Sequence, residues 1–308
     1  MNAKSNLANT MKKVITKIFL MLWVCSLSWT SWGKSQHIIL TASQGTGSYI
    51  FANELSRLWA SSAGIIKSQL VIRTEISAEN RLTQLTNNRV SLAIIDAKTA
   101  HEKLKKFTGV RVLSLLWNNW LYILGTVPGS YLSLDSTQTL LVHDNSLHFA
   151  QVWKKLSPQT EISWFNGSSI PDFMGGFSEE VMAFTGPAPL DEINNWLEHF
   201  AGIRLLSLEQ RLIQSLKLEY PWLRPKKLSA NTFSYQTEAL SAVAWNPVLV
   251  TSVDFPDKLA VTILNLMFSQ KEALNPHFLF NNLVRKDNIA FQRIYPFHSA
   301  AKTFFLFK

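Results

Sequence analysis

Apolar residues follow two alternating patterns along the chain. Residues 37–42, 70–74 and 90–95 are runs of strand length that are rich in apolar residues. Between the first two runs, Phe51, Leu55 and Leu58 have the i, i+4, i+7 spacing of one face of a helix. Strands that alternate with helices in this way predict βαβ units, with a parallel sheet covered by helices on both sides.

A second α/β unit begins after the break at Pro128-Gly129. Its pattern predicts strands at residues 139–142, 161–165 and 181–184, helices near 149–156 and at 191–200, and a long strand at 242–251. A last helix is expected after Asp254, which we interpret as its N-terminal cap. Two such units indicate an α/β protein with two lobes and a ligand cleft between them. We assign residues 34–127 and 247–308 to the first lobe and residues 128–246 to the second.

The first 33 residues have the pattern of a secretory signal peptide. Lysines precede an apolar run at residues 18–29, and Ser31-Trp32-Gly33 has the small-residue spacing of a cleavage site. An uncleaved anchor is the alternative, but about 12 apolar residues are short for a membrane span. We therefore expect an exported, periplasmic protein with a mature start near Lys34, translated from Met1 or Met11.

Composition narrows the chemistry of the mature chain. Cys25, the only cysteine, lies in the leader, which excludes disulfides, cysteine-ligated metals and thiol nucleophiles. Without the four leader lysines the net charge falls from +9 to +5, and no basic stripe with interleaved aromatics is present, so we expect no nucleic-acid partner. The seven histidines form no metal-binding spacing, and we expect no metal and no cofactor.

The segment Gly45-Thr46-Gly47-Ser48-Tyr49 joins the first strand to the first helix. It departs from the dinucleotide fingerprint, because Ile50 stands at the third glycine position, and it lacks the lysine of a P-loop. Glycines let backbone amides approach an anion at a helix start, and Thr46 and Ser48 add hydroxyl donors. A plain strand-to-helix turn remains an open alternative.

Several segments, taken in order, resemble the TAXI family, the extracytoplasmic solute-binding subunits of TRAP transporters. They are the leader with the glycine segment, then residues 74–80, 89–96, 246–251 and 296–301. The resemblance rests on order and spacing over nearly the whole mature chain. It implies a type II-like periplasmic binding fold and a small organic anion, such as an amino acid or a dicarboxylate like glutamate, as ligand. It also implies a TRAP-type membrane permease as partner, and we expect a monomer.

The resemblance also implies a ligand site shared by the two lobes. Its first-lobe members are Gly45, Thr46, Gly47, Ser48, Tyr49, Ser77 and Asp96, and its second-lobe members are Ser146 and the loop at Gly186. Two departures concern the second lobe. Residues 143–146 read His-Asp-Asn-Ser where the family has Gly-Ser-Gly-Thr, and Phe233 replaces a tyrosine. The distal group of the ligand is therefore expected to be held differently.

Two other functions are compatible with this reading. An orphan receptor would keep the lobes and either pass its ligand state to a sensor protein or have lost its ligand, and the altered second-lobe loops favour this alternative. A periplasmic enzyme would need an acid–base pair. Asp96 could serve as a general base, but the sequence contains no Gly-x-Ser-x-Gly elbow, and we interpret His298 as a packed histidine bonded to backbone. We expect a binding protein and not an enzyme.

Overall fold

The computed structural model describes residues 35–62, 68–125, 131–132, 139–143, 147–165, 180–200, 202–269, 283 and 285–307. Within them the chain forms two units, each a β-sheet flanked by helices. Strands β1 to β14 are Ser35–Thr41, Ser68–Thr74, Leu92–Ile95, Val110–Leu115, Asn119–Gly125, Tyr131–Leu132, Thr139–His143, Glu161–Phe165, Glu180–Pro187, Arg204–Leu205, Ser207–Leu208, Arg224–Leu228, Leu240–Trp245 and Val248–Ser252. Helices α1 to α9 are Gly47–Ser61, Ala78–Thr86, Ala97–Lys103, Leu147–Leu156, Asp191–His199, Gln210–Glu219, Asp257–Ser269, Arg285–Phe291 and Ser299–Phe307.

The first sheet has the strand order β2-β1-β3-β14-β4. β1 pairs in parallel with β2 and β3, which confirms the predicted parallel arrangement, whereas β14 runs antiparallel to both of its neighbours. All four residues of β3 are buried, as expected for a strand covered on both faces. The core of this unit includes Phe51 and Trp59 of α1 and Ile263 of α7.

The second sheet has the order β12-β13-β5-β9-β7-β8, with β10 beside β5. Side chains of β5 alternate between two cores, with Trp120 and Tyr122 in one and Leu121 and Ile123 in the other. Helix α5 covers the first of these cores, and α4 and α6 cover the second. Both faces of the second sheet are therefore buried.

The chain passes between the sheets at two adjacent points, between β4 and β5 and between β13 and β14. The amide of the Asn246 side chain donates to the carbonyls of Leu116 (2.8 Å) and Trp117 (2.9 Å), which ties the crossings together. The long strand predicted at residues 242–251 is wrong, since β13 and β14 belong to different sheets. Pro247 separates them and has no amide to continue a ladder.

Other elements also refine the expected pattern. β5 lies in the range 34–127 expected for the first lobe, yet it pairs within the second sheet. The lobe boundaries, the signal peptide and the start near Lys34 stay predictions. Asp254 does not cap α7, because the first helical bond runs from the Ala260 amide to the Pro256 carbonyl. Among the described helices, none has both the length and the hydropathy that a bilayer crossing requires.

Candidate functional site

Three helices of the first unit each follow a parallel strand, and the side chain of the residue just before each helix caps its N-terminus. Thr46, Ser77 and Asp96 cap α1, α2 and α3, and each accepts a hydrogen bond from the backbone amide three residues later, at 3.4, 3.2 and 2.8 Å. Because β1, β2 and β3 are parallel, the caps lie at one carboxyl edge of the sheet. Ligands of open α/β sheets bind at this edge.

The structure explains why both positions of the glycine segment, 45 and 47, are occupied by glycine. Gly45 has a φ of +84°, in the region that favours glycine. Gly47 lies against the buried ring of Trp117, where a Cβ would stand 3.0 Å from the indole Cζ2. The Ser48 Oγ is 3.0 Å from the Thr46 Oγ1, so these hydroxyls already have each other as partners. The plain-turn interpretation therefore accounts for this segment, and its contact with a ligand stays a prediction.

Of the two second-lobe candidates, Gly186 is the one that the structure describes. It lies near the end of β9 and pairs with Trp120 of β5. A Cβ at Gly186 would stand 2.5 Å from the Leu190 Cδ1, so the absence of a side chain lets the following loop pack closely. Ser146 lies outside the described residues.

A cavity of about 230 Å³ lies between the two units, beside the start of α3. The first unit contributes Asp96, Ala97 and Lys98. The second unit contributes strand residues Leu121, Thr185 and Val243, together with larger side chains at Phe149, Leu216, Tyr220, Trp222, Leu223 and Trp245. The carboxyl ends of β3 and β9 thus face one another across this space.

Asp96 is the one predicted site residue among the described residues that line the cavity, and Gly186 is next to the lining residue Thr185. The glycine segment and Ser77 lie at the same sheet edge but outside the lining. Sequence reasoning missed Lys98 and the aromatic pair that flanks Pro221. The aromatic residues on either side of that proline are visible in the sequence, but nothing in their spacing marks them as part of a site.

Aromatic side chains of the second unit contact a histidine ring of the first unit beside the cavity. The rings of Tyr220 and Trp222 lie 5.1 Å apart, and Trp222 lies 5.9 Å from the ring of His101 on α3. Burial and the neighbouring carboxylate of Glu219 raise the pKa of Tyr220. The phenol is therefore neutral at physiological pH and serves as a hydrogen-bonding, largely apolar surface.

The Asp96 carboxylate is exposed and lies near a buried cation. Its two oxygens accept hydrogen bonds from the amide (2.8 Å) and the hydroxyl (2.7 Å) of Thr99. Arg81 is 4% exposed and donates through one NH group to the carbonyls of Glu75 and Ile76. Burial lowers the pKa of Arg81, while the charges of Asp96 and Glu75 act to raise it.

A cluster of charged side chains joins the two units away from the cavity. Asp287 of α8 pairs with Arg224 (2.9 Å) and Lys226 (2.7 Å) of β12, and Lys226 also donates to the Asn118 side chain (3.0 Å). Burial lowers the pKa of both cations, and the Asp287 charge opposes this effect. Burial also raises the pKa of the nearby Tyr295 to about 12. Because α8 packs on β4, this ion cluster bridges the sheets.

Two observations on the described residues concern metal-ligating side chains and His298. No group of three or more His, Cys, Asp or Glu side chains is placed there to hold a metal ion. His298 is buried, and its Nε2 lies 2.9 Å from the carbonyl of Phe255, which confirms the packed-histidine interpretation.

Residues 179–306 match the profile of the NMT1-like family. This match covers less than half of the chain, so the narrower resemblance to the TAXI family stays a prediction. A comparison with curated proteins gives no match.

Solved structures show similarity at low identity. PstS from Borrelia burgdorferi is 13% identical over 77% of this chain and 94% of its own, with a TM-score of 0.45. The substrate binding protein of an amino acid ABC transporter is 13% identical over 82% and 98%, with a TM-score of 0.36. The periplasmic domain of BvgS from B. pertussis is 10% identical over 88% and 44%, with a TM-score of 0.45. At these values the likenesses decide neither the ligand nor the partner of this chain.

Proposed function

We propose that the protein is an extracytoplasmic solute-binding protein that captures a small organic molecule between its two lobes. The observation that carries this proposal is the position of the cavity, which lies at the carboxyl ends of β3 and β9 and is lined from both units. Ligand pockets of α/β proteins occupy such positions. The proposal is binding without a reaction.

The two chain crossings would form the hinge. They lie side by side, because Asn246 bonds to the carbonyls of Leu116 and Trp117 and the Leu116 amide donates to the carbonyl of Pro247 (2.8 Å). Rotation about these short segments opens the cavity to solvent, and the reverse rotation encloses the ligand.

The partner and location follow from the leader and the family resemblance. We propose a periplasmic protein that delivers its ligand to a membrane permease, of the TRAP type. The ligand class implied by the same resemblance is a small organic anion, which includes amino acids and dicarboxylates. Lys98 is the described lining residue that attracts a carboxylate.

The test combines a ligand screen with a measurement of closure. The purified protein is screened by thermal shift against amino acids, dicarboxylates, keto acids and sugars. A ligand at about 100 times its dissociation constant adds about 2.7 kcal/mol, and each kcal/mol raises the midpoint by about 2–4 °C for a chain of this size. We expect at least one compound to raise the midpoint by several degrees.

Closure is measured by energy transfer between dyes at Lys106→Cys and Lys217→Cys, two exposed positions in different units. Labelling is specific because Cys25, the only native cysteine, lies in the predicted leader. The ligand from the screen should change the transfer efficiency, whereas a sugar or amino acid that gave no thermal shift should not. A folded protein that responds to no compound contradicts the proposal and leaves the orphan-receptor alternative.

A further inference from the structure

One side chain of each charge lines the cavity. Asp96 and Lys98 are the charged residues of the described lining, and they stand two positions apart at the start of α3. Each Asp96 oxygen accepts one hydrogen bond from Thr99, yet an ionised carboxylate can accept about four. The carboxylate therefore has capacity for a cationic group of a ligand, and the Lys98 ammonium for an anionic one.

The remainder of the described lining is neutral and largely apolar. Its larger members include Phe149, Leu216, Trp222 and Trp245. The cavity has a volume of about 230 Å³, so it suits a small molecule.

A dicarboxylate fits this lining poorly. Lys98 is the single cation of the described lining, and Asp96 repels a second carboxylate. Besides the hydroxyls of Thr185 and Tyr220, that second group would meet mostly apolar side chains and no second cation, and an ionised group enclosed without a paired charge is unfavourable. The lining thus separates two ligand classes that the family resemblance leaves together.

We propose that the ligand is an α-amino acid with a large apolar side chain. Its ammonium group binds Asp96, its carboxylate binds Lys98, and its side chain packs against Trp222 and Trp245. This inference rests on the proposed function and names the substrate class for the same cavity.

The first experiment varies the ligand on the unaltered protein. Calorimetric titrations use phenylalanine, leucine, glutamate, phenethylamine, which lacks the carboxylate, and 3-phenylpropionate, which lacks the ammonium group. Phenylalanine or leucine should bind, and loss of one charged contact should weaken binding by about 10- to 100-fold. Glutamate should bind at least as weakly as these analogues.

The second experiment removes each charge from the protein. Asp96→Asn retains a good N-cap for α3, so folding should be preserved. This substitution should weaken the binding of phenylalanine by about 10- to 100-fold and leave the affinity for 3-phenylpropionate unchanged. Lys98→Gln should weaken the binding of phenylalanine by a similar factor and leave the affinity for phenethylamine unchanged. Lys106→Gln, an exposed lysine outside the lining, is the matched control and should change neither.

Each result decides between distinct conclusions. Tighter binding of glutamate than of phenylalanine overturns this inference and leaves the proposed function intact. Unchanged phenylalanine affinity in Asp96→Asn overturns the assignment of the ammonium contact. The absence of binding by every compound in the wider screen, with a folded protein, refutes the inference together with the proposed function.

Discussion

Replacing Asp287 with alanine tests whether the ion cluster holds the two units together. Its carboxylate is shared by Arg224 at 2.9 Å and Lys226 at 2.7 Å, and these three side chains are only 14–22% exposed. The substitution leaves two poorly solvated cations close together, with the side-chain Oδ1 of Asn118 as their nearby acceptor. We therefore expect a large loss of stability from a single residue.

The magnitude follows from the degree of burial. Exposed ion pairs contribute about 0–1 kcal/mol, whereas removal of one partner from a buried pair costs about 3–5 kcal/mol. The cluster is mostly buried and partly solvated, so Asp287→Ala should lower the free energy of unfolding by about 2–4 kcal/mol. A domain is typically stable by only about 5–15 kcal/mol, which makes this loss easy to measure.

Urea denaturation with linear extrapolation gives the comparison. Asp191→Ala is the matched control, because Asp191 also lies in the first turn of a helix but is exposed. The control should lose at most about 0.5 kcal/mol. A triple variant combines Asp287→Leu, Arg224→Met and Lys226→Met. It should recover most of the lost free energy of unfolding. If Asp287→Ala and Asp191→Ala lose the same amount, the reasoning is refuted.

Three further changes test packing and protonation. Gly47→Ala places a Cβ 3.0 Å from Trp117 and should lower the free energy of unfolding in urea by about 1–3 kcal/mol; no change would show that the indole moves aside. Gly186→Ala brings a Cβ to 2.5 Å from Leu190 and should lower the thermal midpoint, and adding Leu190→Ala should reverse part of that shift if this contact is the cause. Burial lowers the pKa of His37 from 6.5, so the unfolded chain binds the proton more readily and stability should fall as pH drops below 6.5. His37→Phe should flatten that part of a urea stability profile, and an unchanged slope would contradict this assignment.

The local elements of the first unit could be predicted because each has a strong pattern of its own. The apolar strand that ends at Ile95 and the helix face carrying Phe51 and Leu55 are recognisable without tertiary information. Helix α3 has no such pattern, since it reads Ala-Lys-Thr-Ala-His-Glu-Lys. Its form depends on the Asp96 cap and on packing against the rest of the unit, which periodicity does not report.

The candidate site could be predicted only in part for a related reason. The capping residues follow their strands directly, so Asp96 was visible in the sequence at the end of an apolar run. The cavity lining is drawn from distant segments: Leu121 and Val243 lie on the paired strands β5 and β13, and Tyr220 comes from the end of α6. Such a set has no fixed spacing along the chain, and it becomes apparent only when the two sheets are seen together.

The position of β14 has a consequence for the order of folding. β14 lies between β3 and β4 in the first sheet, although it follows the whole second sheet in the chain. During synthesis β1 to β4 emerge first and leave two strand edges unpaired until β14 arrives, and such edges favour aggregation. Residues 119–245, in contrast, contain every strand of the second sheet. We therefore expect the second unit to fold first, and pulsed hydrogen exchange should show protection of β5 and β9 before that of β3 and β4.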